Sequence, residues 1–293
     1  GASVEATIKE RMFGWIFGYK EGAITDNSSY SIVDSLRNVH ITDDINIAKF
    51  AFYNLAKVDY IALGNTIESI GAYAFAENKS LSVVRFEEGY KMTAVSDHLF
   101  QNATALVGFN LGGNVTDAKE VSSIVRRLPD SVQTIGAYAF DGCNNVGFTD
   151  FAVSSNVTAI GEYAFSNTSN MVTFTFDDVC QIATLSEGTF KNAIKLQMTT
   201  LPDSFIRVEK YAFENCSSIT EFTLSNNVEY IGEAVFRGAT SLETLTIPFV
   251  GETLGESEKA TAKETMFGWI FGYNNGDIKD NASYSIVNSL QNV

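Results

Sequence analysis

The hexapeptide IGAYAF occurs at Ile70–Phe75 and again at Ile135–Phe140, and the near-copy IGEYAF follows at Ile160–Phe165. Its closing Phe recurs along most of the 293-residue chain, at Phe52, Phe75, Phe100, Phe140, Phe165, Phe190, Phe213 and Phe236. The successive intervals are 23, 25, 40, 25, 25, 23 and 23 residues. A near-constant interval indicates an array of structural repeats rather than the two globular domains that length alone would suggest.

Each repeat carries the same apolar positions around its Phe. The sixth residue after the Phe is apolar: Val58, Leu81, Leu106, Val146, Met171, Leu196, Ile219 or Leu242. The eleventh is apolar as well: Leu63, Phe86, Leu111, Phe151, Phe176, Leu201, Leu224 or Ile247. Gly often stands four residues before the Phe, as at Gly71, Gly136, Gly161 and Gly232, which predicts a sharp corner or a close backbone approach.

The end of each repeat, such as TFTF at 173–176 or TLTI at 244–247, alternates polar and apolar residues. This alternation predicts a short strand with one buried face. The segment around AYAF lacks it and predicts a compact turn or a single helical turn. No repeat of this size can bury its own apolar face, so we expect neighbouring repeats to stack into a solenoid with a continuous core.

Two segments show the pattern best: VQTIGAYAFDGCNNVGFTDF at 132–151 and FIRVEKYAFENCSSITEFTL at 205–224. A period of 20–29 residues is typical of leucine-rich repeats. The pattern resembles the BspA-like (Treponema pallidum-type) leucine-rich repeat family over residues 43–250. The resemblance implies an α/β solenoid, a right-handed coil with a parallel sheet of short strands on its concave face and short helical or irregular segments on its convex face. It also implies a bacterial surface or secreted protein, often implicated in adhesion to host or matrix proteins.

A longer repeat frames the solenoid. Residues Met12–Val39 recur as Met266–Val293, an offset of 254, with 21 of 28 positions identical. We therefore expect an N-terminal aromatic module at 1–42, leucine-rich repeats at 43–250 and a second, truncated module at 251–293. The duplication predicts a fragment of a longer parent built from tandem blocks. The module's aromatic residues are expected to plug the core, and an exposed adhesive patch is the alternative: Phe13, Trp15, Phe17 and Tyr19.

The one long interval, between Phe100 and Phe140, predicts a helical insertion near residues 113–128. Ala118, Val121, Val125 and Leu128 follow helical spacing, with Thr116 or Asp117 as the N-cap. Arg126 and Arg127 would then be a solvated helix end or a contact point.

Composition narrows the classes of function. The chain has 20 basic and 35 acidic residues, a net charge of −15. This charge disfavours nucleic acid and anionic membrane surfaces as partners. No apolar run reaches the roughly 20 residues that a membrane span needs, so no membrane insertion is expected.

Candidate chemistry is sparse. Cys143 and Cys216 stand three residues after a motif Phe, where other repeats have Ala or Thr, so they are expected in a small buried slot, whereas Cys180 is expected to be the most accessible. His98 stands where other repeats have Tyr, which indicates a scaffold position. The acidic pairs Asp43–Asp44 and Asp177–Asp178 fit solvated corners better than a calcium loop. No catalytic motif is present, and neither a metal nor a cofactor is expected.

The sequence therefore favours a non-catalytic binding scaffold over an inert spacer or stalk, and an enzyme is the least favoured class. The eighth and tenth residues after each Phe should point away from the core. They supply the candidate ligand-binding residues: Tyr60, Arg85, Asn110, Thr175, Thr200, Thr223 and Thr246. The expected partner is a host or extracellular-matrix protein or glycan at the bacterial surface or outside the cell, and the oligomeric state is left open.

Overall fold

The computed structural model describes residues 35–113, 123–253 and 266–272. Over these ranges the chain winds as a stack of turns, and neighbouring turns are joined by two parallel β-ladders. Most of the paired strands lie one repeat apart in sequence, so nearly every turn contributes one strand to each ladder. The predicted solenoid is therefore confirmed, while its right-handed sense and its curvature stay predictions.

The first ladder contains the longer strands. They are β1 (Asn38–Ile41), β3 (Tyr60–Leu63), β5 (Val83–Phe86), β7 (Gly108–Leu111), β9 (Asp150–Val153), β11 (Thr173–Phe176), β14 (Glu221–Thr223) and β16 (Thr244–Thr246). They form three parallel groups, β1-β3-β5-β7, β9-β11 and β14-β16. The turn that follows Phe190 joins through a single bridge from Thr200 to Thr223.

The second ladder contains strands of two residues each, which end on the apolar residue five positions before the motif Phe. They are β2 (Asn46–Ile47), β4 (Ser69–Ile70), β6 (Ala94–Val95), β8 (Thr134–Ile135), β10 (Ala159–Ile160), β12 (Thr184–Leu185), β13 (Arg207–Val208) and β15 (Tyr230–Ile231). The second residue of each is buried and the first is not. Alternation along the strand thus fixes which side chain enters the core.

The motif Phe lies in a third set of inter-turn contacts, made by consecutive tight turns. Around Phe75, both Tyr73 and Glu77 have positive φ angles, 60° and 59°. The backbone N–H groups of Tyr73, Phe75 and Glu77 donate to carbonyls of the next turn at 3.2, 3.1 and 2.8 Å. Each left-handed residue costs about 1 kcal/mol, which these inter-turn hydrogen bonds offset.

This face corrects the expected α/β character. The sequence predicts short helical or irregular segments opposite the sheet, and the described residues carry tandem turns there, so the helical alternative is wrong. The helix of the described ranges is α1 (Met266–Phe271), after the last solenoid turn. Left-handed residues recur four apart, as at Tyr73 and Glu77, and every second N–H group points to the next turn. A helix would use these N–H groups within itself.

The eight motif Phe side chains form one internal file. Ring centroids of neighbours in the file lie 5.1–6.2 Å apart, from Phe52 to Phe236. All eight are buried and belong to a single hydrophobic cluster. The predicted column of stacked apolar residues is confirmed, and offset stacking adds to the burial of apolar area.

The corner glycines confirm the predicted close approach. A Cβ at Gly161 would lie 2.4 Å from the backbone nitrogen of Ala137 in the preceding turn. Real Cβ atoms do not approach backbone that closely, so the corner needs glycine to keep the turns at their stacking distance.

One apolar assignment from the spacing is wrong. Val146 is 81% exposed, and Phe148, fully buried, takes the slot that the sixth residue fills in other turns. Phe151 pairs with Phe174. Phe151 is the eleventh residue after Phe140, whereas Phe174 is the ninth residue after Phe165, so the turn of Phe140 has two extra residues after Cys143. A prediction from constant spacing fails at this point, because a loop on the surface can accept extra residues without changing the packing of the core.

The predicted helical insertion is also wrong where it is described. Residues 114–122, with Ala118 and Val121, lie outside the described residues. Val125 forms an antiparallel bridge with Phe109, and Arg127 a parallel bridge with Ala152. Residues 125–127 therefore lie between β7 and β9 as an extended segment. Leu128 is buried, as its place in the apolar pattern predicts. The pattern therefore indicated burial correctly, but the predicted helix is absent over the described residues 123–128.

Replacing Phe165, which contacts rings in the turn before it and in the turn after it, should show how far the file stabilises the fold. We expect Phe165→Ala to lower the free energy of unfolding by about 3–5 kcal/mol, because it removes a buried ring and leaves a cavity. Val146→Ala, at an exposed apolar residue, serves as the control and should change it by less than about 0.5 kcal/mol. Urea unfolding followed by circular dichroism measures both, and equal losses would contradict the file as the main support.

Candidate binding surface

The long strands present two faces. One face carries the residues that join the Phe file, such as Ile61, Val84 and Phe174. The other face, which we call the outward face, carries the eighth and tenth residues after each Phe, or the register equivalents in the turn of Phe140. Met198, the eighth residue after Phe190, is the exception, because it is buried in the core cluster. Strand alternation separates the two faces, as predicted.

The outward face is covered on β3, β5 and β7, contrary to the expectation for three candidate residues. Tyr60, Arg85 and Asn110 are only 1%, 3% and 2% exposed. A partner cannot reach these side chains without moving what lies over them. Tyr60, Arg85 and Asn110 are therefore not surface contact residues in this structure.

The segment before Pro129 contributes to this cover. Tyr60, Ala62 and Val83 form a second, small hydrophobic cluster, and Ile124 packs against it. A Cβ at Gly108 would lie 2.6 Å from the carbonyl oxygen of Val125. Gly108 thus leaves the space that lets residues 124–126 lie against the sheet. The signal was in the sequence, since every other turn has a residue with a side chain at this position.

The later turns leave the outward face open. Thr175, Thr200, Thr223 and Thr246 are all exposed, as predicted for these four candidates. Together with Thr173 and Thr244 they form what we call the threonine face. Thr200 pairs with Thr223, and Thr223 with Thr246, so their side chains follow one another across the sheet at about 4.8 Å.

The threonine face offers hydroxyl and methyl groups in regular rows. The Thr200 hydroxyl donates to the carbonyl oxygen of Thr223 at 3.0 Å, which fixes its orientation. The only charged residue among the outward positions of these turns is Glu221. Such a surface can exchange hydrogen bonds and pack against apolar groups.

A second row of side chains runs along the tight turns. Phe50, Tyr73, His98, Tyr138 and Tyr163 stack in order, with centroids 4.1–5.0 Å apart and interplanar angles of 3–16°. His98 is therefore a scaffold residue, as predicted, and its Nδ1 lies 3.0 Å from Gln101 Oε1. Because each inner ring covers the next, a ligand meets ring edges rather than faces. The regular stacking escaped the sequence analysis, although the repeated Tyr position signalled it.

Two phenols of this row are held protonated. Burial raises the pKa of Tyr163, and the hydrogen bond from its hydroxyl to Glu187 Oε1 at 2.7 Å raises it further. Burial also raises the pKa of Tyr138, with Glu162 and Asp141 adding negative charge nearby. Neither tyrosine is suited to act as a base at neutral pH.

A cluster of basic residues surrounds Tyr211 near the end of the solenoid. Lys191, Lys210 and Arg237 lie 5.1–5.7 Å from the ring centroid. Their charges are already matched, since Lys191 and Arg237 pair with Glu214, and Lys210 with Glu187. The cluster ties neighbouring turns together and is not an open anion site.

The cysteines divide as predicted. Cys143 and Cys216 are fully buried, and Cys180 is half-buried. The two buried thiols also donate to the carbonyl oxygens of Phe100 and Phe190, in the preceding turn, which the sequence did not reveal. Asn78 makes the same link to Phe52 with its amide. Burial raises the pKa of both thiols, which keeps them unreactive.

The acidic pairs serve as loop corners. Asp44 accepts the N–H of Ile45 at 2.9 Å, and Asp177 accepts the N–H of Ser155 at 3.0 Å. Within residues 35–113, 123–253 and 266–272, no cluster of three or more His, Cys, Asp or Glu side chains is placed to hold a metal ion. Nor does the described part of the chain contain a helix long and apolar enough to cross a membrane.

Comparison with known proteins agrees with this architecture. The sequence matches the family model of the BspA type leucine-rich repeat region in six copies, over residues 23–122, 119–151 and 133–258. None of the curated proteins matches the chain.

Solved structures match this chain at low sequence identity, and one of them shows the shared fold. A leucine-rich repeat protein from Bacteroides ovatus superimposes with a TM-score of 0.60 and 22% identity, covering 75% of this chain and 59% of that one. This chain thus spans 59% of the length of that relative. The T. pallidum leucine-rich repeat protein gives a TM-score of 0.41 at 22% identity, covering 68% and 71%. A leucine-rich cell surface protein from Faecalibacterium prausnitzii gives 0.39 at 18%, covering 72% and 79%.

Thiol labelling of the native protein should separate the three cysteines. We expect a maleimide to modify Cys180 and to leave Cys143 and Cys216 unmodified, because burial keeps both thiols protonated and out of reach. Mass spectrometry of tryptic peptides identifies the labelled residues, and the same reaction in urea, where all three react, is the control. Modification of Cys143 in the folded protein would contradict its placement.

The cover over the first turns can be tested at Gly108. Valine occupies the same position at Val83, but at Gly108, where φ is 157°, a valine would collide with Val125. We expect it to lower the free energy of unfolding by about 1–3 kcal/mol and to speed limited proteolysis near residue 125. Thr244→Val, at the same position of an uncovered turn, should do neither. A silent Gly108→Val would show that the segment does not lie on the sheet.

Proposed function

Because this chain belongs to the BspA-type leucine-rich repeat family, we propose that it is a non-catalytic binding scaffold that acts outside a bacterial cell. Its partner is a host or extracellular-matrix protein or glycan, and the threonine face is the contact surface. The single observation that supports this site is the row of exposed threonines on the outward face of the later turns.

The arrangement suits recognition for physical reasons. Side chains on paired strands are held by the backbone, so ordering them on binding costs little entropy. Threonine offers a donor, an acceptor and a methyl group, which match the mixed polar and apolar surface of proteins and sugars. The exposed face extends over the turns from Phe165 to Phe236, which is enough for a contact by several neighbouring residues.

The proposed site differs from the one expected from the sequence. It keeps Thr175, Thr200, Thr223 and Thr246 and omits the covered Tyr60, Arg85 and Asn110. Thr173 and Thr244 extend it, because they lie beside Thr175 and Thr246 on the same face.

A structural spacer is the second candidate function. The duplicated module at 12–39 and 266–293 favours it, since repetition of a whole block lengthens a protein without adding a binding group. A spacer needs no partner for its threonine face, so the two functions differ in whether saturable binding exists.

Binding should be sensitive to bulk on the threonine face. We expect the double variant Thr223→Arg/Thr246→Arg to weaken binding at least about tenfold, because two long charged side chains block the centre of the face. Surface plasmon resonance against immobilised collagen, laminin and fibronectin, together with an array of host glycans, measures the affinity.

The control places the same substitution elsewhere. Thr158→Arg lies in an exposed loop away from the threonine face and should leave affinity unchanged. Equal weakening by both variants would argue against the threonine face as the site. No saturable binding to any of these probes would favour the spacer.

A further inference from the structure

The last turn of the solenoid ends on helix α1. The N–H groups of Ala234 and Phe236, which in earlier turns would donate to the following turn, donate to the carbonyls of Trp269 and Ile270 at 2.5 and 3.0 Å. The last carbonyls of a helix have no partner within the helix, so α1 is suited to accept them. The helix therefore seals the end of the inter-turn hydrogen-bond ladder.

Side chains of α1 complete the seal. Ile270 and Phe271 are 0% and 2% exposed and join the core cluster that contains the Phe file. The indole N–H of Trp269 donates to the carbonyl oxygen of Ile231 at 2.7 Å. Gly272, with a φ of 78°, then ends the helix against Arg237.

The opposite end of the solenoid begins with the last part of the same module. Strand β1 pairs in parallel with β3, matching Val39 to Ile61 and Ile41 to Leu63. Leu36 and Val39, the last apolar residues of the first module, pack against the core. The end of the module is thus the opening of a solenoid.

The two modules are copies of one sequence. We call MFGWIFGY, identical at Met12–Tyr19 and Met266–Tyr273, the head, and SLRNV or SLQNV, at Ser35–Val39 and Ser289–Val293, the tail. In the second copy the head packs on the last turn of the solenoid. In the first copy the tail begins the first strand of the solenoid. One 28-residue sequence therefore carries both an end seal and a starting strand.

We propose that this module is a connector between solenoids of the same kind: its head seals the solenoid before it and its tail opens the solenoid after it. The partner of the first head, Met12–Tyr19, is then the C-terminal end of another solenoid with this repeat. The contact is head-to-tail and does not close on itself, so it generates a linear array. The connector is independent of what the threonine face binds.

Alanine substitutions at matched positions of the two modules test the separate roles of the head and the tail. In this chain Trp269→Ala should lower the midpoint of thermal unfolding by roughly 5–10 °C, while Trp15→Ala, at the same position of the first head, should leave it unchanged. For the tails the order reverses: Leu36→Ala should lower the midpoint by several degrees, and Leu290→Ala should not. Trp269→Phe, which keeps the ring but loses the hydrogen bond to Ile231, provides a milder variant should Trp269→Ala fail to fold.

A tandem protein tests the connection itself. When residues 40–293 are placed after Val293, the middle module has a solenoid on each side. Leu290→Ala should then become as destabilising as Leu36→Ala. Equal effects of the two tryptophan variants in the single chain, a second solenoid that stays unfolded, or a silent Leu290→Ala in the tandem would each overturn the proposal.

Discussion

The structure depends on the fact that no turn can complete itself. Each turn directs backbone N–H groups at the next turn and exposes one face of a Phe ring that only the neighbouring Phe covers. Both the N–H groups and the Phe rings recur in every turn. Inner turns therefore have partners for both, while the two end turns of a stack do not. The corner glycines, the left-handed tyrosines and the hydrogen-bonding residues beside the Phe all serve to keep successive turns at one spacing.

The same constraint explains where function can reside. The core face of the sheet, the second ladder and the tight turns all make contacts between turns. In the aromatic row, the rings of Tyr73, His98 and Tyr138 stack on one another, so their faces are covered by their neighbours. The outward face of the sheet is not needed for stacking and can vary. In the first turns it is covered and contributes to a second small cluster, and in the later turns it carries exposed threonines.

Sequence spacing predicted the Phe file, the strands, the corner glycines and the buried cysteines, because each depends on contacts repeated between identical positions. It assigned Val146 to the core and missed Phe148. The two extra residues before β9 shift the register within this turn, but the interval between motif Phe residues is still 25 residues, as in the next turn. It placed Arg85 and Asn110 on an open surface, because alternation tells which face of a strand a residue occupies but not what lies over that face.

The sequence by itself determined the repeat, the inward and outward faces and the family, since these follow from local periodicity and composition. Only the tertiary structure decided which part of the outward face is open, that the tight turns are not helical, and that the second aromatic head packs on the last turn. The physical reason is that these features depend on non-local contacts, such as Val125 with Phe109 and Trp269 with Ile231. In each contact one residue belongs to a repeat and the other to a segment outside the repeats.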